Sequence, residues 1–258
     1  MNVGVTCLRI VALCALLTCM TARAHDFWIE PSAFSVSVHQ GVNVGLLVGE
    51  HFKGEPFARD GRRIVEFAAS GPGGRTPLVG LEGRHPAGLW RPASSGAHIL
   101  SYQSNRAHAE LPRETFVKYL NEQGLERIDA QLPPQAGPIR EAYSRYAKAL
   151  IGVDGAATLR DDRRLGLPFE IVADGDAFRV WFDGAPLADV LMIALRQDGD
   201  QRLTARTDAQ GQATLALTPG SWLVTAVHMI AAPADADAQW ESFWGSLRFT
   251  LPGAVSSY

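Results

Sequence analysis

Cysteine is absent from the sequence after residue 24. All three cysteines, Cys7, Cys14 and Cys19, lie in the first two dozen residues. The rest of the chain can therefore form no disulfide and can offer no thiolate to a metal ion. Any metal site outside this leader would have to use nitrogen, oxygen or methionine sulfur.

Basic runs and long apolar segments are also missing beyond the amino terminus. The formal net charge of −3 becomes −5 when Arg9 and Arg23 are removed with the leader, since no acidic residue goes with them. This balance argues against nucleic acid as a partner, and we expect no transmembrane helix. No phosphate-binding glycine loop, Gly-x-Ser-x-Gly elbow or His-Glu-x-x-His motif occurs, so hydrolase and nucleotide chemistry find no support and the leading expectation is not an enzyme. A small ligand is the expected partner.

The first two dozen residues have the features of a secretory signal peptide. Arg9 supplies a positive charge, residues 10–17 form a short apolar run, and Ala22-Arg23-Ala24 suits a small-residue cleavage site. We therefore expect residues 1–24 to be removed and the protein to be periplasmic. The alternative is lipoprotein processing at Cys19, which ends a loose lipobox.

Cleavage after Ala24 would give His25 an unusual position. As the first residue of the mature chain, it would offer an α-amine and an imidazole to the same metal ion. Processing at Cys19 would instead place this histidine several residues into a tail and abolish the chelate. The sequence thus predicts a metal-binding amino terminus that depends on where one bond is cut.

The remaining sequence divides into three segments by its pattern. Short apolar or alternating runs separated by turns predict strands in residues 25–108 and again in residues 165–258. Between them, residues 109–164 predict a helical connector. The expected fold is mainly β, with two immunoglobulin-like or transthyretin-like β-sandwiches joined by this short helical segment.

Two helices are predicted within the connector. The first starts near Pro112 and ends near Gly124, with its apolar residues on one face. The second spans residues 139–151, because Tyr143, Tyr146 and Leu150 fall at helical spacing. The predicted strands are residues 34–38, 42–48, 64–67, 96–102, 178–182, 190–195, 213–217, 221–229 and 246–251.

Several motifs spread along the chain resemble one known family. They are His25–Pro31, Val48–Pro56, Glu110–Pro112, Tyr119-Leu120, Gly124-Leu125, Tyr143–Leu150, Leu165–Pro168, Ala226–Met229 and Trp240–Leu247. They are similar to a periplasmic family of unknown function that has been labelled a NikM-like component of nickel and cobalt uptake. The resemblance implies a role in importing such an ion, with a membrane transporter as partner.

Two histidines in these motifs are candidates to complete a site with His25. His51 follows Glu50 at the end of a predicted strand, where a loop could turn it toward the amino terminus. His228 lies on a predicted strand and is followed by Met229, a soft ligand. For either histidine the competing interpretation is a hydrogen-bonded interior residue. The candidate metal ligands are therefore His25, His51 and His228.

The leading hypothesis is a periplasmic protein that binds a divalent transition metal ion, or a small metal chelate, for uptake or homeostasis. Nitrogen donors without thiolate suit nickel, cobalt or copper. Two alternatives remain open. One is a copper enzyme for oxidative chemistry, which would use the same histidine brace; the other is a metal-free interaction module built on β-sandwiches.

Overall fold

The computed structural model describes residues 25–132 and 137–253, and this part of the chain is mainly β. The predicted signal peptide, its cleavage site and Cys19 lie outside the described residues. The first nine strands are β1 (Asp26–Pro31), β2 (Ser35–Val36), β3 (Val42–Glu50), β4 (Lys53–Pro56), β5 (Ile64–Gly71), β6 (Gly74–Pro77), β7 (Gly88–Trp90), β8 (Gly96–Ser104) and β9 (Ala107–Leu111).

Two short helices follow, and then the longest strand. They are α1 (Arg113–Glu122), α2 (Glu126–Asp129) and β10 (Ile139–Val153). After a 3-10 turn at Leu159–Asp161, the remaining strands are β11 (Phe169–Asp174), β12 (Ala177–Phe182), β13 (Ala185–Pro186), β14 (Leu191–Arg196), β15 (Arg202–Arg206), β16 (Gln212–Thr214), β17 (Gly220–Ala231) and β18 (Trp240–Leu251). No helix in the described ranges is long and apolar enough to cross a membrane.

One large sheet organises the fold. Its strands run in the order β15-β14-β17-β18-β10-β8-β5-β6, and β2 and β9 also pair with β10. Strands β1, β3, β4 and β7 make a second sheet, and β11, β12, β13 and β16 make a third. The large sheet takes strands from all three of the predicted segments. Because this one sheet joins all three segments, it does not mark where one domain ends and the next begins. Domain boundaries at residues 108 and 164 stay a prediction.

Strand β10 corrects the second predicted helix. Residues 139–153 are extended and pair in parallel with β18 and antiparallel with β8 and β9. Alternate residues enter different cores: Ala147 and Ala149 pack with β1 and β3, whereas Tyr146 and Leu150 pack with β11 and β12. Because β10 is buried on both faces, its apolar residues do not alternate with polar ones, and the run imitates a helix.

The same alternation shows how the layers are stacked. The sheet of β1 and β3 covers one face of the large sheet, and the sheet of β11 and β12 covers the opposite face. Helix α1 begins and ends as predicted from Pro112 and Gly124. Its buried residues Phe116 and Leu120 share one apolar core with Trp244 of β18, on whose ring Tyr119 stacks. Each covering layer thus buries a separate apolar core against the one sheet.

Candidate functional site

Strand register places His25 beside Glu50. Strand β1 begins directly after His25 and pairs antiparallel with β3, with Asp26 opposite Gly49. His25 therefore comes level with Glu50, the last residue of β3. Its Nδ1 lies 3.0 Å from Glu50 Oε1, while the Glu50 side chain keeps 48% of its surface exposed. The histidine predicted to open the mature chain thus has a carboxylate next to it, at a position that solvent can reach.

The His25–Glu50 contact leaves the ring nitrogen unsatisfied. Although the two atoms are close, the contact does not have hydrogen-bond geometry, and Nδ1 has no hydrogen-bond partner among the described residues. Nδ1 is also shielded from solvent. A buried polar atom of this kind is destabilising unless a proton donor, water molecule or ion completes its environment.

Three further buried polar atoms, from strands β1, β17 and β18, lie close to the amino-terminal end of β1. Asp26 Oδ1, Thr225 Oγ1 and Ser246 Oγ are all buried without a hydrogen-bond partner in the described part of the chain. Thr225 and Ser246 are paired residues on β17 and β18. Burial raises the pKa of Asp26 to about 7, opposed by the nearby Thr225 hydroxyl and supported by the charge of Glu50. The oxygens of Asp26, Thr225 and Ser246 are thus buried near the amino terminus with at most a weak mutual contact between Asp26 and Thr225.

Buried contacts of β1 fix the position of this corner. The Arg248 guanidinium on β18 donates to both carboxylate oxygens of Glu30, at 2.9 and 3.0 Å. Trp28 Nε1 also donates to Glu30, and the Trp28 ring is almost fully buried. A Cβ atom at Gly54 would lie only 2.3 Å from that ring, so β4 can pass this close only with glycine there. The bidentate ion pair and the packing hold β1 against the large sheet.

His51 lies at the tip of the β3–β4 hairpin. Glu50 pairs with Lys53, so His51 and Phe52 form a two-residue turn, with φ of 52° and 61°. Turns of this type favour asparagine and glycine, and other residues are strained there. Phe52 is anchored edge-on against Trp28, whereas the His51 side chain is exposed. The hairpin therefore carries His51 at the same corner as Glu50.

His228 lies elsewhere. On β17 it shares a face with Ala226, whose side chain is in the core under β11 and β12, whereas Thr225 is on the other face. Its ring is surrounded by phenylalanines, with Phe182 at 4.6 Å and Phe243 at 6.2 Å between ring centroids. Burial lowers the pKa of His228 to about 4, and its Nδ1 has no partner in the described residues.

The structure thus brings His25 and Glu50 into contact, places His51 one residue further along, and separates His228 from them by the sheet. Within the described ranges, no group of three or more His, Cys, Asp or Glu side chains is placed to hold a metal ion. Sequence reasoning missed Asp26, Thr225 and Ser246. Along β1, Asp26, Trp28 and Glu30 alternate with the core residues Phe27 and Ile29. This alternation was a signal that the second face of the strand carries polar groups.

Comparisons with known proteins give a family but no activity. A family model described as "Domain of unknown function (DUF4198)" matches residues 22–230. No curated protein matches the chain. Among solved structures, the D0-D1 domain of intimin aligns over 87% of this chain and 97% of its own, with 11% identity and a TM-score of 0.19. A superposition this poor supports no inference about fold or function. The family match covers most of the sequence, and the chain belongs to the DUF4198 family of unknown function.

Proposed function

We propose that this is a periplasmic protein that binds a divalent transition metal ion of the nickel, cobalt and copper class, for uptake or homeostasis. The ion is cargo, and its binding site is the corner formed by His25 and Glu50. The observation that carries the proposal is the unsatisfied Nδ1 of His25, 3.0 Å from a carboxylate oxygen of Glu50.

That separation suits two ligands of one ion. Metal–nitrogen and metal–oxygen bonds are about 2.0–2.2 Å long, so neighbouring ligands at right angles are about 3 Å apart. Tetragonal nickel and copper sites have this angle. The distance between His25 Nδ1 and Glu50 Oε1 therefore supports a shared ion as the missing partner of both atoms.

The third donor in the proposal is the α-amine of His25. Cleavage after Ala24 would create this group, which belongs to the backbone and adds a donor beyond the side chains of the corner. Together with Nδ1 it closes a chelate ring on the ion. His51 is the further donor at the corner, since the hairpin places it directly after Glu50. We assign no ligand role to His228, which lies on the other face of the sheet.

The surroundings support a hydrated ion in this corner. The unpaired oxygens of Asp26, Thr225 and Ser246 lie on the face beside it and could accept hydrogen bonds from water molecules bound to the metal. Glu50 is half-exposed, so an ion can enter and leave, as delivery to a membrane transporter requires. Binding should weaken at low pH, because the amine and imidazole must lose protons to coordinate.

Isothermal titration with Ni(II), Co(II) and Cu(II) tests the proposal on protein that begins at His25. Glu50→Gln removes one proposed ligand and should weaken binding by about tenfold or more. A tenfold loss corresponds to about 1.4 kcal/mol of binding free energy. His51→Asn, which suits the turn, reports whether His51 contributes. His228→Leu is the matched control and should leave the affinity unchanged. Equal affinities for the Glu50 and His228 variants would refute the site.

A further inference from the structure

A second site lies on the opposite side of the molecule, on the outer surface of the sheet formed by β11, β12 and β16. Residues Phe178 and Val180 of β12 point into the core, so Arg179 and Trp181 point outward. A cavity of about 200 Å³ opens over them. Because the β1 sheet covers the other face of the large sheet, this cavity is separate from the His25 corner.

Three arginines line the cavity. Arg160 comes from the 3-10 turn, Arg164 from the segment before β11, and Arg179 from β12. No carboxylate in the described ranges lies within ion-pairing distance of any of the three guanidinium groups. The cavity thus brings three positive charges together in a chain whose net charge is −3. Their mutual repulsion would be relieved by a bound anion.

Contacts within the cavity hold two of the three arginines, Arg164 and Arg179, in defined positions. The Arg164 guanidinium stacks on the Trp181 ring, with Cζ 3.9 Å from the ring centroid. Arg179 donates from Nη2 to Gln212 Oε1 at 3.0 Å, and its Cζ lies 5.8 Å from the same ring. Arg179 Nε is buried and has no partner among the described residues. Stacked and tethered guanidinium groups are pre-organised donors, which is how arginine recognises carboxylates and phosphates.

We infer that this cavity binds a small organic anion with two or three carboxylates. Three guanidinium groups from separate segments can each form a forked pair of hydrogen bonds with a different carboxylate. The volume of about 200 Å³ limits the ligand to a small molecule. Two aspartates also line the cavity: Asp162 is buried against Lys148, at 2.8 Å, and Asp174 is exposed. Asp174 should therefore weaken anion binding in the native protein.

The experiment measures binding of propane-1,2,3-tricarboxylate to metal-free protein at low ionic strength, by calorimetry and by intrinsic tryptophan fluorescence. Arg164→Gln and Arg179→Gln should each weaken binding by about tenfold or more. Arg164→Lys should also lose affinity, because an ammonium group cannot form the forked contact. Asp174→Asn should tighten binding.

Arg163→Gln is the matched control. It removes the same charge from the neighbouring residue, whose side chain does not line the cavity. Its affinity should stay within about twofold of the native value, since only long-range screening is affected. Circular dichroism verifies that every variant is folded. Equal losses in the Arg163 and Arg164 variants, no saturable binding, or inorganic phosphate binding as tightly as the tricarboxylate would each overturn the inference. Glu50→Gln should retain full binding, which separates this outcome from that of the metal site.

Discussion

At the scale of single residues, ionisable side chains inside the protein are stabilised in different ways. Lys148 is buried between Asp162, at 2.8 Å, and Glu170, at 3.2 Å. Glu170 also accepts backbone hydrogen bonds from the segment before β11. Among the described residues no cation pairs with Glu141, which instead accepts hydrogen bonds from the hydroxyl groups of Tyr119 and Ser242. These environments predict distinct responses to mutation and pH.

Replacing Lys148 by methionine should be strongly destabilising. The substitution leaves Asp162 and Glu170 buried near each other without their cation, and breaking a buried ion pair in this way costs about 3–5 kcal/mol. Urea denaturation measures the change. Lys118→Met on the exposed side of α1 is the control and should shift the free energy of unfolding by about 0.5 kcal/mol or less. A Lys148 variant as stable as this control would contradict the buried ion-pair network.

Glu141 should make the protein less stable as the pH rises. Burial raises its pKa from 4.5 to about 7. Between these values the folded protein keeps a proton that the unfolded chain has released, so stability falls across this interval, by up to about 3 kcal/mol. Urea denaturation at pH 5 and pH 8 should show the native protein losing more stability than Glu141→Gln. Parallel losses in both proteins would be inconsistent with a protonated Glu141.

His228 should have the opposite effect. Burial lowers its pKa from 6.5 to about 4, so the unfolded chain binds a proton in this interval and the folded protein does not. The contribution of His228 to the free energy of unfolding is therefore fully present above about pH 6.5 and is lost as the pH falls toward 4. His228→Leu should therefore gain stability relative to the native protein between pH 7 and pH 5. Urea midpoints that shift equally in both proteins would argue for a charged, solvated His228.

At the scale of elements, the hairpin of β3 and β4 links strain to the candidate site. His51 and Phe52 both have left-handed backbone conformations in its two-residue turn. Phe52 is compensated by contacts of its ring with Trp28 and the Arg248 guanidinium. His51 is exposed and has no comparable packing. A strained residue that stability alone does not favour is consistent with a binding role at this position.

Replacing His51 by asparagine should stabilise the fold. Asparagine adopts the left-handed conformation more easily, so we expect a gain of about 0.5–1 kcal/mol in the free energy of unfolding. Thermal denaturation of metal-free protein measures it. Val65→Asn, at an exposed position of β5, controls for the new side chain and should not stabilise. A lower melting temperature for His51→Asn would show that the histidine stabilises the turn.

Local patterns predicted several of the longer elements but not the central one. The strands β3, β5, β8, β12, β14, β17 and β18 and the helix α1 all overlap the segments expected from alternation, caps and turns. The prediction failed for β10 because both of its faces are buried, so apolar and polar residues do not alternate along it. The burial of β10 on both faces depends on the sheets that cover it, and a short stretch of sequence does not contain that information.

At the scale of the whole molecule, long-range register decides both the fold and the site. β10 pairs with β18 across about a hundred residues of sequence, and β1 crosses to the same sheet through the Glu30–Arg248 ion pair. Nothing local in the sequence specifies these pairings. The sequence drew attention to His25 and to Glu50 with His51, and the fold places these residues at one corner; their role as ligands stays a prediction. It could not show that His228 belongs to the opposite face, because that depends on which sheet covers β17.

Unfolding should be a single cooperative transition. The large sheet runs through all three predicted segments, so neither end of the chain keeps its core without β10. Urea curves followed by tryptophan fluorescence and by far-ultraviolet circular dichroism should coincide. Residues 165–253 expressed alone should be unfolded, because β18 then lacks its partner. Two separate transitions would favour independent domains with boundaries near 108 and 164.

The most direct test of the central claim compares two proteins that differ only before His25. One begins at His25, and the other carries a single additional alanine in front of it. The added residue blocks the α-amine of His25 while leaving every side chain of the corner in place. Titration with Ni(II) should show saturable binding to the first protein and at least about tenfold weaker binding to the second. Equal affinity in both, or no binding to either, would contradict a metal site built on the amino-terminal histidine.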